Sequence, residues 1–379
     1  MGPVNHEEVQ MAVVFLDIAR FLAGLYSFIL IIVGTPLNLL CFYIFTRLVP
    51  NRSNATIIVF AHLALIELLI PFTWNMNYVV RELLWKYQKN ISMKNLEQHS
   101  LFVCKLIAFG AYFSLQCAAW LKTLATFARC VSLHNSWSLK NWLAKPINIR
   151  RVIFFVIFII ALLNFPIWIV NGEYGYAINE LNQTQAKVRC YQSSFFQFWE
   201  VAHLLIYNFI PFTLMIISNI LIIQQVRESR NRTQRSRLSS AASNNRRVKT
   251  SDGGRLTKTL ILITIFFIVF TAPAAIFYIF FGKTVKRHRD LITMSLSNLA
   301  TTSHVTSFII YWLTSSDFRT AAISVLLCKP VGQSRQSTED KQRDKPVSDQ
   351  QTLTRPSIVP TDEDGQRKLH LLHTSTTSQ

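Results

Sequence analysis

Charge is scarce in this chain, and negative charge scarcer still: Asp, Glu, Lys and Arg make up 16% of its 379 residues, with 20 acids against 39 bases. Apolar residues account for 50%, 28 of them Phe, and the mean hydropathy is positive. Soluble domains do not have this composition. No H-E-x-x-H stretch occurs, and Glu67 and Glu200 belong at different depths of their apolar runs, so a membrane hydrolase has no constellation to work with. The two halves of the chain show no matching Gly- or Pro-broken helices, which argues against a transporter. No enzymatic activity, cofactor or metal site is expected. The opening stretch "MGPVNHEEVQ" lacks the basic flank and small-residue cleavage site of a leader, so the first apolar run is expected to act as its own insertion signal. The formal charge of +19 does not point to nucleic acid, because the Lys and Arg flank apolar runs, where anionic lipid and topology account for them.

What is present is a series of apolar blocks of the length a helix needs to cross a bilayer. Seven are found, at about 18–48, 55–78, 101–133, 152–170, 195–226, 260–281 and 291–313. The seventh contains "SLSNLATTSHVTSF", whose Ser, Thr and Asn must face other helices rather than lipid. The expected fold is an all-α membrane protein: an extracellular N-terminus at 1–17, a seven-transmembrane bundle at 18–314, an amphipathic juxtamembrane helix at 315–328 and a disordered cytoplasmic tail at 329–379. Basic residues cluster in the second and third loops on one side, the latter at about 227–257, which assigns that side to the cytosol. "GKTVKRHRD", between spans six and seven, is a local exception. A multi-pass plasma-membrane protein with an extracellular N-terminus and a cytoplasmic C-terminus follows.

In this topology only Cys104 and Cys190 of the six cysteines face the oxidising side, making them the disulfide candidate. Of the sequons, those at Asn90 and Asn182 fall outside and are candidate glycosylation sites; Asn51, Asn54 and Asn231 fall inside and are discarded. "SSDFRTAAISVLLC" places Phe318, Ala322, Val325 and Leu326 at helical spacing, as an amphipathic helix on the inner leaflet would, and ends at Cys328, a position suited to palmitoylation.

Several short motifs follow one another in order. Asn38 lies in "GTPLNLL", Glu67 in "LALIELL", and Cys104 precedes Arg129 of "ARC" by 25 residues. Pro211 lies in "YNFIPF", Pro273 in "FTAP", and Tyr311 in "SFIIYWLTSSDFR". Over roughly 18–328 the chain resembles the rhodopsin-like (class A) G protein-coupled receptors, closest in pattern to invertebrate neuropeptide receptors. The resemblance implies that an extracellular ligand shifts the bundle between packed states and opens an inner cavity for a heterotrimeric G protein. It puts Arg129 and Tyr311 at the G protein coupling end and helix bends at Pro211 and Pro273. It also makes the tail, with Ser334, Ser337, Thr338 and the cluster from Thr374, a substrate for receptor kinase and a dock for arrestin. Departures are informative. Ala128 replaces the acid beside Arg129, which implies raised basal activity, while Thr271 in place of the sixth-span Trp and Asn219 where a fifth-span Tyr is common mark a divergent member.

Ala111 occupies the position where amine receptors carry a counter-ion, and Thr301 the position of the opsin Schiff-base Lys, so biogenic amines and retinal are not expected. A neuropeptide is the leading ligand, beneath a hairpin lid around Cys190; an orphan receptor for a non-peptide ligand is the alternative. Candidate lining residues are Asn77, Arg81, Tyr112, Gln116, Glu200, His203, Tyr207 and Tyr278, each of which could instead serve as an interhelical hydrogen bond. Lys122 lies two turns from Arg129 within the hydrocarbon, where an unpaired Lys costs several kcal/mol. Two readings stand. Lys122 leans toward Glu67, at the family's sodium-binding position, with Asn38, Ser303, His304 and Ser307 completing a polar cluster; or it snorkels toward the inner cavity and leaves Glu67 protonated.

Overall fold

The computed structural model describes residues 6–49, 54–85, 95–134, 138–178, 184–239, 252–281, 284–285 and 288–328. The sequons at Asn90 and Asn182 and the tail at 329–379 lie outside the described residues.

Among the described residues, six helical stretches are long and apolar enough to cross a membrane: Gln10–Leu48, Ala55–Leu84, Leu101–Leu133, Pro146–Val170, Ser194–Arg232 and Leu256–Phe281. The first is α1 (His6–Tyr43), which begins well before the expected residue 18 and widens into a π turn at Ile44–Leu48. The second is α2 (Ala55–Leu69) and α3 (Trp74–Val79), and the third α4 (Leu101–Leu133). A short α5 (Leu139–Leu143) leads to the fourth, α6 (Pro146–Asn164) with α7 (Pro166–Val170). The fifth is α8 (Ser194–Leu204) and α9 (Ile210–Ser239), and the sixth α10 (Asp252–Ile276). Phe154, Phe155 and Phe158 on α6 and Ile216, Ile217 and Ile220 on α9 all point outward, as a lipid-facing surface requires.

The seventh stretch is two helices, α11 (Arg289–Val305) and α12 (Ser307–Thr314), which meet at Thr306. Its polar residues face neighbouring helices. Asn298 Oδ1 accepts from Ser27 Oγ (2.6 Å) and Asn75 Nδ2 (2.7 Å), while its Nδ2 donates to Ala23 O (2.8 Å). Thr301 Oγ1 donates to Asn75 Oδ1 at 2.9 Å, so one hub joins spans one, two and seven. Small residues allow this approach: a Cβ on Gly34 of α1 would lie 2.6 Å from Val305 Cγ2.

Pro71 and Pro166, neither of them expected to mark a bend, break their spans. Pro71 sits in a 3-10 turn, Ile70–Phe72, between α2 and α3, where Thr73 adopts φ −96°, ψ −107° and its hydroxyl donates to Ile70 O at 2.7 Å. Pro cannot donate to the helical ladder, so the turn tightens and the chain is redirected. Pro166 separates α6 from α7 in the same way. Pro211 follows a π turn at Leu205–Phe209, and the Ile206 carbonyl within that turn accepts the Trp120 indole N–H at 3.1 Å. The group freed by the widened turn is thereby satisfied from α4. Pro273 lies inside α10, which stays helical to Ile276 and then widens at Phe277–Phe281.

One further departure concerns a predicted connection. Much of the 227–257 segment, expected as a linker, is helical: α9 runs to Ser239 and α10 starts at Asp252. Arg, Gln and Glu are good helix formers, and Glu228 and Arg232 sit one turn apart at 3.8 Å. The hairpin expected between spans four and five is present: β1 (Glu173–Ile178) pairs antiparallel with β2 (Thr184–Arg189), with Glu173 opposite Arg189. Gly172 enters this hairpin at φ +86°, a conformation open to Gly, and a Cβ there would also strike Leu101 and Cys104.

After α12 the chain turns into α13 (Ser316–Leu326), capped by Ser315 Oγ, which accepts the Phe318 N–H at 3.2 Å. Phe318, Ala321 and Ala322 are buried. Leu326, expected on the same face, is exposed together with Ile323 and Leu327 on a second apolar face.

Candidate functional site

The end of the bundle that carries the disulfide contains a cavity of about 350 Å³. Cys104, in the first turn of α4, is bonded to Cys190, just after β2. Asn171, fully buried, reinforces the link: its Nδ2 donates to Cys104 O (3.2 Å) and its Oδ1 accepts from Tyr191 N (2.9 Å). Tyr191, held at φ +61°, is thereby fixed as part of the cavity wall.

The break at Pro71 decides what α3 presents. Trp74, Asn77, Tyr78 and Arg81 all line the cavity. Asn77 Oδ1 accepts the Leu96 N–H at 2.8 Å, which holds the 3-10 turn Leu96–Gln98 over the cavity and brings Glu97 into its wall. Arg81 is engaged on both sides, with Nε 2.7 Å from Glu82 Oε1 and Nη1 3.1 Å from Asp290 Oδ1, tying spans two and seven across the mouth. Glu97 is buried. Its Oε1 accepts weakly from Asn95 Nδ2 at 3.4 Å, and Oε2 has no hydrogen-bond partner among the described residues. Burial pushes its carboxyl above the ordinary 4.5, against the opposing pull of the neighbouring Tyr191 hydroxyl and the Arg81 charge.

Of the residues expected to line a ligand site, Asn77, Arg81, Tyr112, Glu200, His203, Tyr207 and Tyr278 do line this cavity. Gln116 does not. It is completely buried, its Nε2 donating to His203 Nδ1 (3.1 Å) and its Oε1 accepting from Asn164 Nδ2 (2.7 Å), so both ends of the amide are taken by neighbouring spans. Asn95, Glu97, Tyr191, Asn208 and Asp290 line the cavity without having been identified from the sequence. The one usable signal was Glu97, an acid in a predicted outer loop seven residues before the disulfide cysteine.

Beneath the cavity lies a buried ionic cluster. Lys122 Nζ is 2.8 Å from Glu67 Oε1, and His304 Nδ1 is 3.1 Å from the same oxygen. The ammonium also lies 3.0 Å from His304 Nδ1 and 4.7 Å from the centre of the Phe267 ring, a cation-π distance. Tyr207 joins the two sites, because it lines the cavity while its hydroxyl lies 3.2 Å from His304 Nε2. The other residues expected in this cluster stay out of it. Ser303 Oγ donates back to Ala300 O at 2.7 Å, the usual local option for a helical Ser. Ser307 is displaced by the break at Thr306, and its buried hydroxyl has no partner among the described residues. Asn38 is buried with neither amide atom partnered among those residues.

At the opposite end, Arg129 is 8% exposed beside Ala128, and Tyr311 sits among the rings of Phe45 (4.9 Å), Phe60 (5.0 Å) and Phe318 (5.5 Å). Asn219 Nδ2 donates to Thr264 Oγ1 at 2.9 Å, joining spans five and six. Cys328, at φ +50°, is exposed after α13.

No curated protein matches the chain. The arrangement of membrane-crossing helices around a cavity at the disulfide-bonded end agrees with a family match over residues 25–329, and the chain belongs to that family, the serpentine type 7TM GPCR chemoreceptors Srw, multi-pass membrane receptors rather than enzymes.

Proposed function

We propose that this chain is a rhodopsin-like receptor of the plasma membrane, with its N-terminus outside, that takes up an extracellular neuropeptide in the cavity and activates a heterotrimeric G protein at the Arg129 end. The observation that carries the reading is Tyr207, whose ring lines the cavity and whose hydroxyl contacts His304 of the buried Glu67–Lys122 cluster. A ligand that moves this ring changes the partners of a buried charge, and low-dielectric surroundings make such changes energetically large. Arg129 and Tyr311 serve the coupling end. The Ser/Thr-rich tail serves receptor kinase and arrestin, Cys328 accepts a palmitoyl chain that holds α13 to the inner leaflet, and Asn90 and Asn182 carry glycans.

The test is a panel of synthetic neuropeptides applied to cells expressing the receptor, read as G protein activation. An active peptide should lose potency or efficacy on Tyr207→Phe, which keeps the ring and removes the hydroxyl. A full panel without activation, together with basal activity no higher than in cells lacking the receptor, would refute the signalling role.

A further inference from the structure

We infer that the wall of the cavity around Glu97 is a subsite for a cationic group with several N–H donors, a guanidinium or primary ammonium carried by the ligand. The inference rests on the cavity being the ligand site of the receptor and concerns what that site selects.

Charge is the first argument. Among the described residues, Glu97, Glu200 and Asp290 line the cavity against one Lys or Arg, Arg81, and Arg81 is already held between Glu82 and Asp290. Glu200 feels Arg289 nearby. The neighbourhood therefore carries an excess of carboxylate, and an anionic ligand would have to pull Arg81 out of two ion pairs.

Hydrogen bonding is the second, independent argument. Two buried oxygens of cavity-lining side chains at the Leu96–Gln98 turn, Glu97 Oε2 and Asn95 Oδ1, meet no donor in hydrogen-bonding geometry among the described residues, with the Tyr191 hydroxyl as the neighbour of Glu97. Buried acceptors left unpaired are costly, and Glu97 is only 7% exposed. A donor-rich head group satisfies them. A guanidinium presents its donors as a planar fork suited to a carboxylate.

Shape agrees with both. Trp74, Tyr112, Tyr191 and Tyr278 line the cavity with aromatic side chains, a residue type that attracts cations. The volume of about 350 Å³ suits one or two side chains of a larger ligand. Ala111, where an amine counter-ion would stand on α4, is completely buried and offers no charge. The cation is therefore received by the Leu96–Gln98 turn rather than by the third span.

The experiment uses the full-length receptor purified in detergent, with thermal unfolding followed against three probes of one shape. These are benzamidine (cationic), benzamide (neutral) and benzoate (anionic). Benzamidine should raise the unfolding midpoint saturably while the other two do not. Glu97→Gln should weaken the benzamidine effect at least about thirtyfold, as removal of one partner from a buried charge pair does. Glu97→Asp, which keeps the charge, should retain part of it. An equal response to benzamide, a preference for benzoate, no response to any probe, or an unchanged response in a folded Glu97→Gln variant would overturn the proposal; if that variant does not fold, the charge series on the wild type decides. This readout needs no G protein, so a failure of the cationic subsite is distinguishable from a failure of signalling.

Discussion

Lys122 Nζ lies 2.8 Å from Glu67 Oε1, and each side chain is 1% exposed. An ammonium stands against the acid that the resembled receptors use for sodium, with His304 on the same carboxylate oxygen. The Phe267 ring lies over the ammonium and packs edge-on against the Tyr207 ring.

Removing one member of this pair should be worse than removing both. Glu67→Gln or Lys122→Met alone should cost about 3–5 kcal/mol, because each strands a buried charge, whereas the double replacement should come close to the wild type. The check is a double-mutant cycle on thermal stability and surface expression. Additive losses would mean that the two groups are not energetically coupled.

The Asn219–Thr264 hydrogen bond joins spans five and six toward the end that carries Arg129, where Ala128 stands in place of the acid of the resembled receptors. Thr264→Val should weaken this tie by about 1 kcal/mol and raise basal G protein activation up to about fivefold. Basal activity at the wild-type level would assign the bond to packing alone.

Loss of the disulfide should release Tyr191 from the cavity wall. The bond closes a separation of 86 residues, and Cys104→Ser or Cys190→Ser should cost about 2–4 kcal/mol and abolish ligand response. Asn171→Ala, which leaves the disulfide intact but removes the clamp on Cys104 O and Tyr191 N, should reduce response with a smaller loss of stability. Normal surface expression and response in both serine variants would contradict the structural role.

Glu97 gives a pH dependence with a definite sign. Its carboxyl is raised by burial, so its contribution to stability is fully present below the ordinary 4.5 and is lost as pH rises through the higher folded-state value. Glu97→Gln should therefore match the wild type in acid and exceed it in thermal stability above that window. A stability difference that does not change with pH would show that the carboxyl is already compensated in the folded protein.

The sequence was a good guide wherever one residue type admits one environment. Apolar runs of span length could only cross lipid, and polar residues inside them had to meet other helices, as Asn298 and Gln116 do. Whether a given polar group faces the cavity or another helix depends on helix phase, and phase is reset by backbone events that hydropathy does not register. The break at Thr306 takes Ser307 away from the ionic cluster, and Gln116, a cavity candidate by helical phase, is taken up by Asn164 and His203 instead. Glu97 escaped notice because its burial comes from a connection folded inward, held by Asn77 across 19 residues of chain.

The polar seventh stretch also bears on how the protein is made. A translocating ribosome delivers 289–314 last among the spans, and those residues have little tendency to partition into lipid by themselves. Asn298, Thr301 and Thr302 find their partners on Ser27, Asn75 and Tyr26, all synthesised long before. The first two spans thus act as an internal receptacle that must already be in place when the last one arrives. Damage to that receptacle, such as Asn75→Leu, should appear as failed integration of the C-terminal end and retention in the endoplasmic reticulum, although the altered residue lies more than two hundred positions upstream.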